Sequence, residues 1–244
     1  MHGRGQGTVA GPPARFATTR WSVVLASRDP GSPGFSEAME VLAQGYHGAV
    51  RAFLAAYVHD PALTDELTQE FFLSWVTRGM PRLKPELGSF RRYLKGALRH
   101  FVLNHARSLR AARRVGEVAL DPDLASRGAS PEEAFDGACR SRLLNEAVEA
   151  MLAEYAFEGR PRHGEAFRLY YIDRQEGEQP TYGRLAVRLS ASESEVRSWL
   201  AHGRRRLRSH VSRLVRDSVS SEEAFQREME ALYGGAGGSD GRAR

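Results

Sequence analysis

The stretch Thr181–Arg208, TYGRLAVRLSASESEVRSWLAHGRRRLR, decides the fold of the C-terminal part of the chain. Tyr182, Leu185, Ala186 and Leu189 recur at helical spacing and give a first helix one apolar side. Ser190, Ala191 and Ser192 interrupt it, because small hydroxyl residues compete with the helix for backbone hydrogen bonds and favour turns and caps. A second helix is predicted from Ser192, with Glu195 completing a capping box. Its inner side is Val196, Trp199, Leu200 and Leu207, which leaves Ser194, Arg197, Ser198, His202, Arg204, Arg205 and Arg208 outside. No acidic residue occurs from Val196 to Arg216. Two short helices about a tight turn, the second one basic, have the form that enters a DNA major groove. A solvated Arg-rich helix at a domain end is the plainer reading of the same residues.

The chain has 244 residues, 41% hydrophobic and 27% charged, the composition of a globular protein of one or two domains. Its net charge of +5 permits an anionic partner. Cys139 is the single cysteine, which excludes a disulfide framework and a cysteine zinc site. No run approaches the roughly 20 apolar residues of a membrane span, and no signal-peptide core is read at the N-terminus, so a cytoplasmic protein is expected. No metal-ligand cluster, nucleotide loop or nucleophile–base pair stands out, and neither an enzyme nor a cofactor is expected.

Residues 1–14 are rich in Gly and Pro and read as a disordered tail. The piece FATTRWSVVL (16–25) is expected to dock on the helical domain C-terminal to it. A helix from about Ser36 to Val58 carries Met39, Leu42, Tyr46, Val50, Phe53 and Tyr57 on one side. Asp60-Pro61 ends it and opens another, Ala62 to Thr77, in which Asp65, Glu66, Gln69 and Glu70 lie early, at the positive end of the helix dipole. The third helix, Ser89 to Arg114, is expected to turn Phe90, Leu94, Ala97, Phe101, His105 and Leu109 inward. It bears eight positive charges, and no acid lies between Glu86 and Glu117. Phe90, Tyr93 and Phe101 among those charges form the composition on which single-stranded bases stack while phosphates are neutralised, although core packing is the competing role for each ring. Residues 115–131 turn acidic and small and read as a linker. A helix from about Glu132 to Phe157, an EGRPRHG loop and a helix holding Phe167, Tyr170 and Tyr171 then lead into the opening stretch. Ser220 and Glu223 are expected to cap a last helix with Phe225, Met229 and Leu232 on one side, ahead of a flexible tail from Gly234. The fold class is therefore all-α: two small helical domains, 15–114 and 132–216, joined by the linker 115–131, the second containing the helix-turn-helix, with 217–244 as a terminal helix and tail.

Three passages in this order resemble the extracytoplasmic-function (ECF) sigma factors of bacterial RNA polymerase. DELTQEFFLSWV (65–76) is similar to the family's polymerase-binding helix, GSFRRYLKGALRHFVLNHARSLRAARR (88–114) to the helix that melts and reads the minus-ten element, and the opening stretch to the minus-thirty-five helix-turn-helix. The resemblance spans about Phe16 to Leu214. It implies that Asp65, Gln69, Glu70 and Phe72 face core RNA polymerase. It further implies that Lys84, Ser89, Phe90, Arg91, Tyr93, Arg99, His100, Asn104 and Arg107 contact the minus-ten DNA, and that Ser194, Arg197, Ser198, His202, Arg204 and Arg205 contact the upstream duplex. Promoter DNA and core polymerase would be the partners, an anti-sigma protein a further one, with no membrane, metal or cofactor involved. The sequence departs from the family at His100, Gly183-Arg184, Ser194-Glu195 and Trp199, and in the longer EGRPRHG loop, all of which bear on promoter preference. The alternative function is a stand-alone helix-turn-helix regulator with a sensing or dimerising N-terminal domain, which has little use for eight charges on one helix. In the free protein the acidic linker is expected to lie over a basic face and to weaken DNA binding until polymerase displaces it.

Overall fold

The computed structural model describes residues 20–80, 83, 88–113, 129–173 and 180–233, with the backbone alone at 109–113 and 233. The expected tail 1–14, Lys84, most of the linker (115–128) and residues 234–244 lie outside the described residues. Among those described, every regular element is a helix, as the periodicity requires, and the sole backbone pairing of strand type is the antiparallel bridge between Ser89 and Val219.

Helices α1 (Trp21–Ala26), α2 (Phe35–Val58), α3 (Pro61–Arg78) and α4 (Phe90–Arg113) build the first core. The junction of α2 and α3 is set locally. His59 takes a left-handed conformation at the end of α2, and the Asp60 carboxylate then accepts the N–H groups of Ala62 and Leu63 at 2.8 and 3.1 Å, with Pro61 as first helical residue. Such a cap stabilises a helix by about 1 kcal/mol. Leu42, Val50, Leu54, Leu67, Phe71, Phe90, Leu94 and Leu98 fill the interior. Beyond Leu94, Leu98 and Val102 are the buried residues of α4 among those whose side chains are described, whereas Ala97 and Phe101 are only partly covered, so the inner stripe runs in steps of four rather than through Ala97 and Phe101.

Helix α5 (Pro131–Phe157) opens on a capping box between Ser130 and Glu133 and, at 27 residues, is about 40 Å long. That length lets it serve both lobes. Phe135 and Cys139 near its start lie in the first core, while Ala147, Met151 and Tyr155 belong to the clusters of the second lobe. The first core therefore extends past the boundary expected at 132. The EGRPRHG segment is not all loop: Gly159 takes φ 68° after α5, and α6 (Pro161–Phe167) starts at once with Pro161 at its first position, continuing as a π-helical turn, Arg168–Ile172.

Helix α7 (Tyr182–Arg188), capped by Thr181, and α8 (Glu193–Asp217), opened by the Ser192–Glu195 capping box, follow each other across a short turn. Leu185, Ala186, Leu189, Val196 and Leu200 close the core between them. Gly203 lets α8 approach α6, since a Cβ there would stand 2.6 Å from the Phe167 ring. The terminal helix α9 (Glu222–Tyr233) packs Phe225, Met229 and Leu232 against Val211, Leu214 and Val215 of α8 and against Leu143 and Ala147 of α5. Its cap is Ser221, whose hydroxyl accepts from the Ala224 N–H; Ser220 is drawn instead to the Gly88 carbonyl.

Candidate nucleic-acid and polymerase interfaces

A groove of about 1150 Å³ separates α3 from α4. One wall is aromatic, with Trp75 and Phe101 joined by Tyr93; the rim carries Arg78, Arg92, Lys95 and Arg99. Behind the wall the rings brace one another: Phe71 lies 4.9 Å from Trp75 and 5.3 Å from Phe101, and Phe90 contacts Tyr46 edge-on at 5.1 Å. His100, Asn104 and His105 line the far end of the groove, where the Asn104 amide meets His100 Nδ1 at 3.0 Å and Arg107 donates to Asn104 Oδ1. Apolar faces framed by cations are what single-stranded nucleic acid requires, stacking for bases and charge for phosphates.

The structure divides the residues expected at this site into two groups. Tyr93, Arg99, His100 and Asn104 line the groove, and Arg107 is exposed one turn beyond. Phe90 is fully buried, and this corrects its expected role: its ring is the floor on which Tyr93 stacks at 6.0 Å, not a platform open to a base. Ser89 is buried as well and donates its hydroxyl hydrogen to Glu228 at 2.8 Å. Arg91 is nearly covered, paired with Glu228 at 2.7 Å and Asp136 at 3.5 Å. Sequence reasoning missed Arg78 and Arg227, the latter reaching the groove from α9, while Trp75 lines the groove with its ring buried in the core.

The expected contact of the acidic linker with a basic face lies outside the described residues, but other carboxylates meet α4. They come from α5 and α9: Lys95 pairs with Asp136 at 2.8 Å, Arg99 with Glu132 at 2.6 Å, and Arg91 with Glu228. The hydrogen bond from Arg99 holds the Glu132 carboxyl below its ordinary range, against the opposing effect of partial burial.

Outside the groove, Asp65 and Gln69 of α3 are exposed, with Asp65 held by Arg51 at 2.8 Å, and Glu70, exposed as well, stands at the groove's edge. Phe72 is half-buried and stacks on His47 at 5.9 Å, so it faces inward more than expected. Leu73 and Val76, 62% and 53% exposed, continue the strip one and two turns on. Two large aliphatic side chains left in solvent beside an acidic patch mark a surface suited to a protein partner.

On α8, Ser194, Arg197, Ser198, Arg204 and Arg205 all reach solvent. Arg197 pairs with Glu193 and lies 5.3 Å over the Tyr182 ring, and Arg204 donates to the Tyr171 hydroxyl at 3.0 Å. His202 is the exception. It is half-buried, its Nδ1 is 2.7 Å from the Tyr155 hydroxyl, and its ring stands 5.5 Å from that of His163. Burial, then the nearby Arg206 and Arg160 charges, hold its pKa below the ordinary imidazole value, which makes it a poor phosphate ligand at neutral pH.

Among the described residues no group of three or more His, Cys, Asp and Glu side chains is placed to hold a metal, and no helix is long and apolar enough to cross a membrane. The chain finds no match among curated proteins and none among solved structures. Residues 42–112, which run from within α2 to near the end of α4 and include the acidic strip and the α3 and α4 walls of the groove, match the family model of Sigma-70 region 2.

Proposed function

We propose that the chain is a promoter-specificity subunit of the extracytoplasmic-function type, without catalysis of its own, that recruits core RNA polymerase and helps to open DNA. The observation that carries this reading is the pairing, inside the region that matches, of an aromatic and cationic groove with an acidic and aliphatic strip on neighbouring faces of α3, with Glu70 at the border between them. The strip, Asp65, Gln69, Glu70, Leu73 and Val76, docks on the polymerase. The groove takes a base from the minus-ten non-template strand: extrusion costs a few kcal/mol, and a stack on the partly exposed Tyr93 returns about 1–3 kcal/mol. Arg99, Asn104 and Arg107 then track the strand at the edge of the duplex. Helix α8 enters the major groove at the minus-thirty-five element with Ser194, Arg197, Ser198 and Arg205 leading, where an arginine can pair bidentately with guanine.

The test is capture by purified core polymerase, followed by transcript initiation on fragments of the host genome. The D65R/E70R variant sets like charge against the partner, which costs several kcal/mol, so capture should fall by about a hundredfold or more. Asp65 and Glu70 are exposed and the Arg51 pair contributes no more than about 1 kcal/mol, so the helical circular-dichroism spectrum and melting should persist. Undiminished capture by a folded variant would remove the assignment of this strip.

A further inference from the structure

Helix α9 meets α4 at one place, its N-terminal end. There the backbone of residues 88–89 pairs with that of 219–220: Ser89 bridges Val219, and the Ser220 N–H donates to the Gly88 carbonyl at 3.1 Å. Gly88 has φ +86°, and a side chain on it would press on Ala224 and Arg227 of α9 at 3.3 Å. The Glu228 carboxylate reaches across this contact with both oxygens, accepting from the Ser89 hydroxyl at 2.8 Å and pairing with the Arg91 guanidinium at 2.7 Å. Ser89 in turn accepts the Arg92 N–H as the helix opens. An N-terminal hydroxyl, an arginine and the first turn of a 24-residue helix together form an anion site, and its present occupant is a side chain of the same chain.

The contact is not finished like a permanent core. Arg91 Nε is buried without a hydrogen-bond partner, Asp136 Oδ1 has the 3.5 Å ion pair with Arg91 in place of a hydrogen bond, and a cavity of about 60 Å³ lies alongside, lined by Arg91, Cys139, Arg142 and Glu228. Buried polar atoms left unpaired weaken the closed state relative to one in which water or another ligand completes them. Short terminal helices open at low free-energy cost, and α9 has just 12 residues. Arg227, next to Glu228, already stands at the mouth of the groove, so α9 covers the place where a strand would enter.

We propose that α9 is an intramolecular competitor of the nucleic-acid strand: Glu228 fills, at the N-terminal end of α4, the position of a backbone phosphate, and the strand binds there once α9 swings away. This rests on the reading of the α3–α4 groove as a single-strand site. It assigns the C-terminal helix an inhibitory role in the free protein and makes the phosphodiester backbone the ligand of Ser89 and Arg91 in the open one.

The experiment uses the full chain without polymerase and a labelled single-stranded deoxyoligonucleotide pool of mixed sequence, followed by anisotropy. In S89C/V219C a disulfide fixes the bridge shut: antiparallel partners have Cα atoms about 4.5–5.5 Å apart, within the roughly 4.4–6.8 Å that a disulfide spans. Cys139 is buried, which pushes its thiol up to about 12 and keeps it out of the exchange. The reduced form should bind the pool about tenfold more tightly than the oxidised form, and E228Q more tightly than the parent chain. For E228Q the salt dependence should also steepen by about 0.7 for each cation released to a phosphate. Equal binding by the oxidised and reduced forms, with E228Q unchanged, would overturn the role of α9 and leave the groove as a strand site. Absence of binding by all forms at low salt would overturn both.

Discussion

Helices α4 and α8 read almost alike in sequence, each a long arginine-bearing helix with a run free of acids, yet the structure uses them differently. On α4 three cations meet carboxylates from far along the chain, Arg91 and Lys95 at Asp136, Arg99 at Glu132, and Arg91 again at Glu228, while Arg92 stays exposed at the groove. On α8 the outward residues Arg197, Arg204 and Arg205 remain at the surface, and the acid that holds Arg197 is its own neighbour Glu193. The arginine of α8 that is held across the fold, Arg206, turns inward to Glu154 and Glu158 at 2.5 and 2.7 Å. A basic run thus reports capacity for an anion, and its availability is decided by tertiary partners. In this fold the start of α4 is covered by α5 and α9, whereas the outward face of α8 is open.

The largest effect that would sharpen this contrast concerns Phe90. Its ring is wholly enclosed between Tyr46, Trp75 and Tyr93, so Phe90→Ala should lower stability by about 3–5 kcal/mol in urea unfolding. Tyr93→Ala, at the partly exposed groove wall, should instead weaken oligonucleotide binding by roughly the value of one stack, about 1–3 kcal/mol. If Phe90→Ala kept its stability and lost strand binding, α4 would present a different face from the one described.

A smaller effect tests α8. Gly203→Ala places a methyl group against Phe167 on α6, and overpacking of this kind costs about 1–3 kcal/mol. The loss should appear in unfolding, and duplex affinity per folded molecule should stay the same, because Gly203 lies on the buried side of α8. A fall in affinity without a fall in stability would mean that the angle of α8 is itself tuned to DNA.

Legibility in the sequence divides along the same line, between local and tertiary partners. Local chemistry was legible: the Asp60-Pro61 junction, the Ser192–Glu195 capping box and the apolar stripes of α2 and α8 each depend on residues within a few positions. The start of α6 was readable too, since a glycine in the left-handed region followed by proline marks one helix ending and another beginning, but a run of Gly, Arg and Pro invites a loop instead. The inner stripe of α4 was misread because Ala97 and Phe101 lie one position from Leu98 and Val102, and just the packing of α2 and α3 decides between the two rows. Most hidden were the contacts between Ser89 and Glu228, 139 positions apart, and between Lys95 and Asp136, 41 apart; no window along the chain contains both partners.

The smallest effect separates the two helices by pH. His202 and His163 lie at the junction of α6 and α8, and burial is the first cause that holds each below the ordinary imidazole value. The Arg206 and Arg160 charges add to this for both rings, His202 itself acts on His163, and Glu158 opposes. The unfolded chain therefore takes up protons first, and stability falls as pH drops below the unfolded value of about 6.5, until the folded rings protonate as well. The carboxylate at α4 has the opposite shift. Glu132, held low chiefly by Arg99, contributes fully above the ordinary carboxyl value of 4.5 and loses that contribution as pH falls through its folded value. Between pH 7 and 5.5 the unfolding midpoint should decline through the imidazoles, while the Arg99–Glu132 pair stays intact. An H163Q/H202Q double variant should flatten that upper slope and leave the fall below pH 4.5 in place. An unchanged upper slope would mean that the α8 rings are not linked to folding and that acid acts on the α4 contacts first.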